Sequence, residues 1–566
     1  MKYKELAELY RRLEAFTEKT EKTAILARFI KQIPDDLLVK VLLLIQGTVF
    51  PPWEEKKLGV GEKLVIRAIA LATGIPRNKI EEMFTKLGDL GLVAEKAVAM
   101  KKQVTLFKKE LTVEEVFNTL RKIAELEGEG AMEKKVKYLA ELLIHASPLE
   151  AKYIVRTVLE ELRIGVGEGI IRDAIALAYN APPELVEYAY SILNDFGEVV
   201  LILRKEGVEG LKKVKIKIGR PIRVMLAVKA NNVREAFDIV GRPAFIEYKY
   251  DGFRVQIHKS KDGKIWLWTR RLENVTRQFP DVVQYVKECI KADEFVVEGE
   301  VVGFDKKTGK FLPFQRISQR IKRKYDIEKM MKEIPVEVHL FDIVYLNGEM
   351  LMNKPFMERR KILESIVEQK EGKILLSIGI LTDKDDEAQR FYQEAISKGL
   401  EGVMFKNIKA PYQPGRRVGY MVKLKPVMET LDLVIVGAEW GEGKRAGWLT
   451  SFVLACRDPN TGRFLTVGEV GTGIKEKKEH PDDITFEELT ELLKPYIYKQ
   501  EGKRVWIKPK IVVEVAYEEI QKSPRYESGF ALRFPRIVRI RYDRSPEDAD
   551  TIDRIRELYE KQRGGR

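Results

Sequence analysis

Apolar residues over the first 218 positions recur at three- and four-residue steps. In "YIVRTVLEELRIGV", Ile154, Val158 and Leu162 return every fourth position beside Val155 and Leu159, the apolar face of a helix reaching Leu162. "GEKLVIRAIALATG" and "KKVKYLAELLIHA" carry the same period, and strand-like alternation is scarce. The texture changes near "VKIKIGRPIRVMLA". From there "FIEYKYDGFRVQIHK", "KIWLWTRR", "EFVVEGEVVGF" and "VEVHLFDIVYL" are β-branched and aromatic runs broken by Gly, Asp and Lys, which predict strands, with helices such as "DVVQYVKECIK" between them. After "YMVKLKP" come short strands with Gly-rich turns, the pattern of a small β-barrel. Ser545 and Pro546 look like the cap and first turn of a closing helix. The pattern predicts a multidomain α+β chain. Residues 1–218 form an all-helical domain, 219–426 an α+β domain, and 427–566 a β-barrel with a C-terminal helix.

Composition narrows the chemistry. A chain of 566 residues exceeds one compact domain. No apolar run is long enough to span a membrane, and the charged, amphipathic start lacks the apolar core of a signal peptide, so a cytoplasmic protein is expected. Two cysteines and four histidines, with no paired spacing, argue against a disulfide framework or a zinc site. An essential metal should be a hard ion on carboxylates. The formal charge of +14, most of it after residue 218, favours a polyanionic partner, with nucleic acid the first choice. The 33% of charged residues also suits a thermophile.

Two stretches echo each other. "LGVGEK" (58–63) and "IGVGEG" (164–169) each set a glycine turn before an apolar helical run. N–H groups at such helix starts can hold phosphates, and glycines can equally serve only to turn the chain.

The richest signal is an ordered set of polar motifs. "KYDGFR" gives Lys249, Asp251, Gly252 and Arg254. Alone it reads as a strand end, a tight turn and an arginine on the next strand. "VEGEVVGF" places Glu298 and Glu300 on one strand face, an arrangement that costs energy unless a cation shares them. "LFDIVYLNG" supplies Phe341 and Asp342, "KGLEGVMFKN" supplies Glu401 and Lys406, and "YMVKLKP" supplies Lys423 and Lys425 on one strand face.

This ordered set resembles the nucleotidyltransferase family of polynucleotide ligases and capping enzymes. The closing "LRFPRIVRIRYDRSPEDADT" and the early "LRIGVGEG" resemble archaeal ATP-dependent DNA ligases over nearly the whole chain. The resemblance implies a helical DNA-binding domain, an adenylation domain and an OB-fold barrel. It implies sealing of nicks between a 5′-phosphate and a 3′-hydroxyl, through lysyl-AMP and then DNA-adenylate, in replication, repair and recombination. Lys249 would be the nucleophile toward ATP, its amine readied by neighbouring cations. Glu247 would read the adenine amino group, and Phe341 would stack on the base. Arg254, Arg270 and Glu300 would hold the ribose side, while Arg417, Lys423 and Lys425 would face the AMP phosphate. Glu300 and Glu401 would hold Mg²⁺, with Mn²⁺ the alternative. Arg541, Asp543 and Arg544 would orient pyrophosphate. The turn holding Gly165 and Gly167 would contact DNA phosphates.

Departures are few. The family usually has lysine at Arg544, tryptophan at Met421 and proline at Val224. In "KKQVTLFKKEL", Gln103, Leu106 and Phe107 resemble a shortened sliding-clamp-binding peptide, with a plain strand edge as the alternative. A monomer bound to nicked duplex DNA in the nucleoid is expected. RNA ligase and GTP-dependent capping guanylyltransferase are the competing activities. The 218 residues of helical sequence and the "LRFPR" close weigh against the capping enzyme.

Overall fold

The computed structural model describes residues 1–101, 108–323, 325–426, 430–481 and 483–562, without the side chains of Gln315 and Arg417. Contacts divide the chain into two compact units. One joins Met1–Ala388 to Val403–Lys423, and the other joins Gln389–Gly402 to Leu424–Arg566.

The first unit begins with twelve α-helices among the described residues, from Tyr3–Ala15 to Phe196–Lys212. Their starts carry the expected local chemistry. Thr112 and Ser147 form capping boxes with Glu115 and Glu150, and Asp89 and Asp195 accept from first-turn N–H groups. The apolar faces merge into one core that includes Tyr3, Leu26, Val41, Ile69, Val155 and Ile175. The helix Pro148–Val158 stops four residues short of Leu162. Glu160 and Arg163 take a left-handed φ of 57° each, and Leu162 is buried from the loop. The four-residue spacing reported burial, and a loop side chain tucked under a helix is buried as well as one on it.

Two sheets follow. A five-stranded sheet runs in the order Leu226–Ala230, Arg417–Leu424, Gly402–Asn407, Ala244–Lys249, Gly379–Thr382. A six-stranded sheet runs Ile265–Thr269, Phe253–Lys259, Phe295–Gly303, Val336–Leu346, Glu349–Met350, with Ile374–Leu376 parallel to Val336–Leu346. One face of the second sheet is apolar. Val255, Ile257, Val297, Val301, Val338, Leu340 and Ile343 pack with Val282, Val286 and Cys289 of the helix Pro280–Cys289. Strand alternation leaves Arg254, Gln256, Glu298 and Glu300 on the other face.

The second unit is β-rich. Its seven-stranded sheet runs Phe464–Val470, Leu449–Arg457, Leu431–Trp440, Arg504–Ile507, Ile497–Glu501, and Val512–Ala516 joins Leu431–Trp440 to Arg536–Ile540. Glu519–Lys522 and Phe530–Arg533 form a separate hairpin. Ser545 caps only the single turn Pro546–Asp548, and the closing helix runs Ile552–Gln562. The capping box closes on Asp548 within that turn, so the cap signal was real and the helix begins later. Among the described residues, no helix is long and apolar enough to cross a membrane.

Candidate active site

Lys249 ends the strand Ala244–Lys249 of the five-stranded sheet, and Phe253 opens the next strand in the six-stranded sheet. The turn between them therefore joins the two sheets. Its shape leaves no room for a side chain at Gly252. A Cβ there would fall on the Val301 carbonyl and lie 2.9 Å from Val302 Cγ1. Asp251 ties the turn down by accepting from the Phe314 N–H at 3.2 Å. Because a backbone carbonyl cannot step aside as a flexible side chain can, Gly252→Ala is expected to destabilise the protein by about 1–3 kcal/mol. It should also slow modification of Lys249, read by thermal melting and by the modification rate.

Glu247 lies two residues before Lys249, on the same side of the strand, and is 2% exposed. Lys406 Nζ is 2.8 Å from its Oε1, and Arg360 Nη1 is 3.8 Å from its Oε2. The Lys406 contact is ionic. Each carboxylate oxygen has two lone pairs, so with Lys406 on one side Oε1 can still accept a further hydrogen bond. Lys406 also sits 4.5 Å from the centre of the Phe341 ring. Arg254 lies 5.3 Å from the centre of the same ring.

Phe341 owes its position to a β-bulge. Glu298 pairs with Asp342 and Gly299 with Leu340, so Phe341 is the extra residue of its strand. Leu340 and Ile343 both join the apolar core, which turns Phe341 and Asp342 together to the polar face. Asp342 is anchored there by Arg359, whose Nε and Nη2 donate to its two oxygens at 2.9 and 3.1 Å.

Arg254 and Glu300 are direct cross-strand partners, and Glu300 is opposite His339 on its other side. Arg254 donates to Glu298 at 2.6 Å and to the Met225 carbonyl at 2.8 Å. Tyr412 donates to the same Glu298, which is fully buried, and its hydroxyl accepts from the Met225 N–H at 3.1 Å. Burial works against charge on Arg254, but Glu298, Tyr412 and Glu300 outweigh it and hold its pKa above the ordinary arginine value. Burial and then Glu298 push the Tyr412 hydroxyl well above the usual tyrosine range, so it stays a donor. The cation that the two glutamates require is thus Arg254, paired with Glu298 and facing Glu300.

Other expected site residues fall as follows. Arg270 is exposed in the turn after Ile265–Thr269, and Lys423 is half-buried on Arg417–Leu424. Arg417 opens that strand, and its side chain lies outside the described set. Lys425 stands just past the strand end at Leu424 instead of within it. In the second unit Lys425 pairs with Glu401 and lies 3.7 Å from Glu518. Arg541 there pairs with Asp432 at 3.2 Å and with Asp543 at 2.8 Å, and Arg544 Nε is 3.4 Å from Asp432. Bonding to Arg541 holds the Asp543 carboxyl well below the usual carboxylate range. Gln103, Leu106 and Phe107 lie outside the described residues.

Sequence reasoning missed Tyr412, Arg359 and Arg360, and gave Lys406 no role. None stands in a motif that advertises its partner. It also missed Phe534, an exposed aromatic with φ of 50° between Arg533 and Arg536. Non-glycine residues at such φ are uncommon and draw attention to a site.

Three family models cover most of the chain. They are "DNA ligase N terminus" over residues 2–176, "ATP dependent DNA ligase domain" over 224–425 and "ATP dependent DNA ligase C terminal region" over 445–544. The chain is 68% identical over 565 residues to a protein of Nanoarchaeum equitans named "DNA ligase", covering 100% of this chain and 99% of the relative. It is 51% identical to a "DNA ligase" of Thermococcus fumicolans, covering 99% of this chain and 98% of the relative. A solved structure titled "Pmar-Lig_Pre." shares the fold with a TM-score of 0.60 at 18% identity, over 95% of this chain and 99% of that one.

Proposed function

The chain belongs to the ATP-dependent DNA ligases, and on that premise we propose that Lys249 carries AMP from ATP to a nicked duplex. As an ATP-dependent DNA ligase it joins DNA at the expense of ATP, and the remaining question is which residues do so.

The corner formed by Glu247, Lys406 and Phe341 carries the reading. A flat, half-buried ring raised on a bulge beside a buried carboxylate oxygen able to accept a bond suits a purine with an exocyclic amino group. Phe341 stacks on the adenine, and Glu247 accepts from its amino group. Lys249, two residues along the same strand face, is then on the side of the α-phosphate. Arg254, fixed by Glu298, Tyr412 and the Met225 carbonyl, holds the ribose side with Glu300 and Arg270. Arg417, Lys423 and Lys425 offset charge on the phosphate.

The Lys249 amine attacks the α-phosphorus. The P–N bond forms, the bond to the bridging oxygen breaks, pyrophosphate leaves, and the amine gives up its proton to water. An oxygen of the DNA 5′-phosphate then attacks the AMP phosphorus and displaces the lysine. The 3′-hydroxyl oxygen next attacks the 5′-phosphorus and releases AMP. Lys249 takes no covalent part in that last step.

Glu300 and Glu401 are hard oxygen donors of the kind Mg²⁺ accepts, and Mg²⁺ would add positive charge beside the phosphates. Mg²⁺ commonly takes one or two carboxylates and completes its shell with water and phosphate oxygens. Glu300 in the first unit and Glu401 in the second are each a carboxylate of that kind, and no group of three metal-binding side chains occurs among the described residues. Arg541, Asp543 and Arg544 orient pyrophosphate during the first step. The turns holding Gly165 and Gly167, and Gly59 and Gly61, face DNA phosphates, and Gln103, Leu106 and Phe107 engage a sliding clamp.

Incubation with α-labelled ATP and Mg²⁺, followed by peptide mapping, tests the reading. The label should sit on one peptide, at Lys249. A label at another lysine, or labelling by GTP in place of ATP, would overturn it.

A further inference from the structure

The two glycine turns are one device built twice. In each, the order is an apolar residue, Gly, Val, Gly, Glu: Leu58 to Glu62, and Ile164 to Glu168. Each leads into a twelve-residue helix, Glu62–Thr73 or Glu168–Tyr179. The backbones agree closely. Gly59 and Gly165 have φ of 62° and 65°, and the capping glycines Gly61 and Gly167 have φ, ψ of −94°, 173° and −101°, 176°.

The agreement extends to a lysine that sequence comparison of the turns could not reveal. Lys22, on the helix Lys19–Gln32, donates to the carbonyls of Ile164 and Gly165 at 2.7 and 3.1 Å. Lys135, on the helix Ala131–His145, donates to the carbonyls of Leu58 and Gly59 at 3.2 and 3.4 Å. The same two positions of each turn are held by an ammonium from a different helix. A Cβ at Gly59 or at Gly165 would crowd that ammonium, and the positive φ at both positions already favours glycine.

The burial of Lys22 is informative. It is 4% exposed, and a buried ammonium is costly unless its hydrogen bonds are satisfied. Its bonds here go to carbonyls, which draws the turn's acceptors inward. The capping glycines tell the same story from the outside. Their φ and ψ suit any residue, and a Cβ at either would meet nothing within 4 Å. Serine or aspartate would cap those helices better. The described residues leave open space where a Cβ at Gly61 or Gly167 would stand, and glycine there would let an outside backbone come close.

We propose that Lys22 and Lys135 are positioning residues for DNA backbone binding, each holding a glycine turn so that its N–H groups face a phosphate. The lysines do not touch DNA. They fix the carbonyl side of the turn, and their charge adds to that of the helix start. The inference rests on the reading of both turns as phosphate contacts.

The test uses the full chain with Lys22→Met and Lys135→Met. Each should bind nicked duplex about tenfold more weakly, the effect of losing hydrogen bonds to a charged group. The slope of log affinity against log salt should stay within a few tenths of wild type, because no phosphate contact is lost. Self-adenylation with ATP alone should be unchanged, and arginine at either position should recover part of the affinity. Wild-type affinity in a variant that melts normally would overturn the proposal. A slope reduced by about one would also overturn it, by making the lysine a direct phosphate contact. If Lys22→Met does not fold, Lys135→Met, at a half-buried position, decides by the same readings. Gly61→Asp and Gly167→Asp test the underlying reading separately. They leave both lysines in place, and unchanged DNA affinity would show that the turns do not meet phosphate at all.

Discussion

Lys249→Ala, incubated with α-labelled ATP and Mg²⁺, acquires no label, and its sealing of a 5′-phosphate nick from ATP falls by roughly 10⁴-fold or more. The size follows from what is removed. A lysine amine is a weak nucleophile while protonated, and its ordinary pKa near 10.4 leaves about one molecule in a few thousand ready at neutral pH. Without it, only water or the DNA phosphate itself remains to attack ATP, and neither is held at the strand end that Asp251 and Gly252 shape. Lys249→Arg should fail almost as completely, since a guanidinium keeps its proton. The informative contrast is a nick supplied already adenylated. Its sealing needs no P–N bond, so both variants should close it within about tenfold of wild type, the remaining loss reflecting a displaced strand end. Rapid sealing from ATP by Lys249→Ala would remove the covalent step from the mechanism. Equal loss on both substrates would mean that the substitution had damaged the site as a whole.

The strand spacing of "EYKYDGFR" already put Glu247 and Lys249 on one face and Arg254 on the next strand, because this segment pairs without a bulge and keeps its period-two alternation. The bulge at Phe341 leaves a trace in the sequence too. Leu340 and Ile343 are both buried but three apart, an odd spacing that a regular strand cannot give to one face. Partners from distant segments left no such trace. Tyr412 reaches Glu298 across 114 positions, and Lys22 reaches Ile164 across 142. No local pattern encodes a contact of that range. The basic strand near Arg541 showed its charges but not that Asp432 would hold two of them. Leu162 and Ser545 misled for the opposite reason. Their local signals were correct, and the chain used them in a loop and in a single turn.

Arg359→Met is expected to cost about 3–5 kcal/mol, the usual penalty for leaving one charge of a buried pair without its partner. Arg359 is fully buried, and it does more than neutralise Asp342. Its Nη1 also donates to the carbonyls of Lys354 and Ala410, at 2.6 and 3.1 Å. The side chain therefore joins the bulged strand to two loops, the second of which leads to Tyr412 two residues on. Removing it leaves a carboxylate and two carbonyls buried with fewer donors, in a region of β-branched and aromatic packing that cannot admit water without opening. The double variant Asp342→Leu/Arg359→Met separates charge from architecture. An apolar pair of similar volume can replace a buried ion pair at little net cost, so the double variant should regain much of the melting temperature lost by the single one. It should not regain ATP binding. Asp342 is the anchor that keeps Phe341 turned to the polar face, and a leucine at that position is drawn toward the apolar side of the sheet. The KM for ATP in self-adenylation should therefore stay raised about tenfold, comparable to losing an aromatic stacking contact of about 1–3 kcal/mol. Full recovery of both melting temperature and KM would show that the bulge holds Phe341 without help from the buried pair.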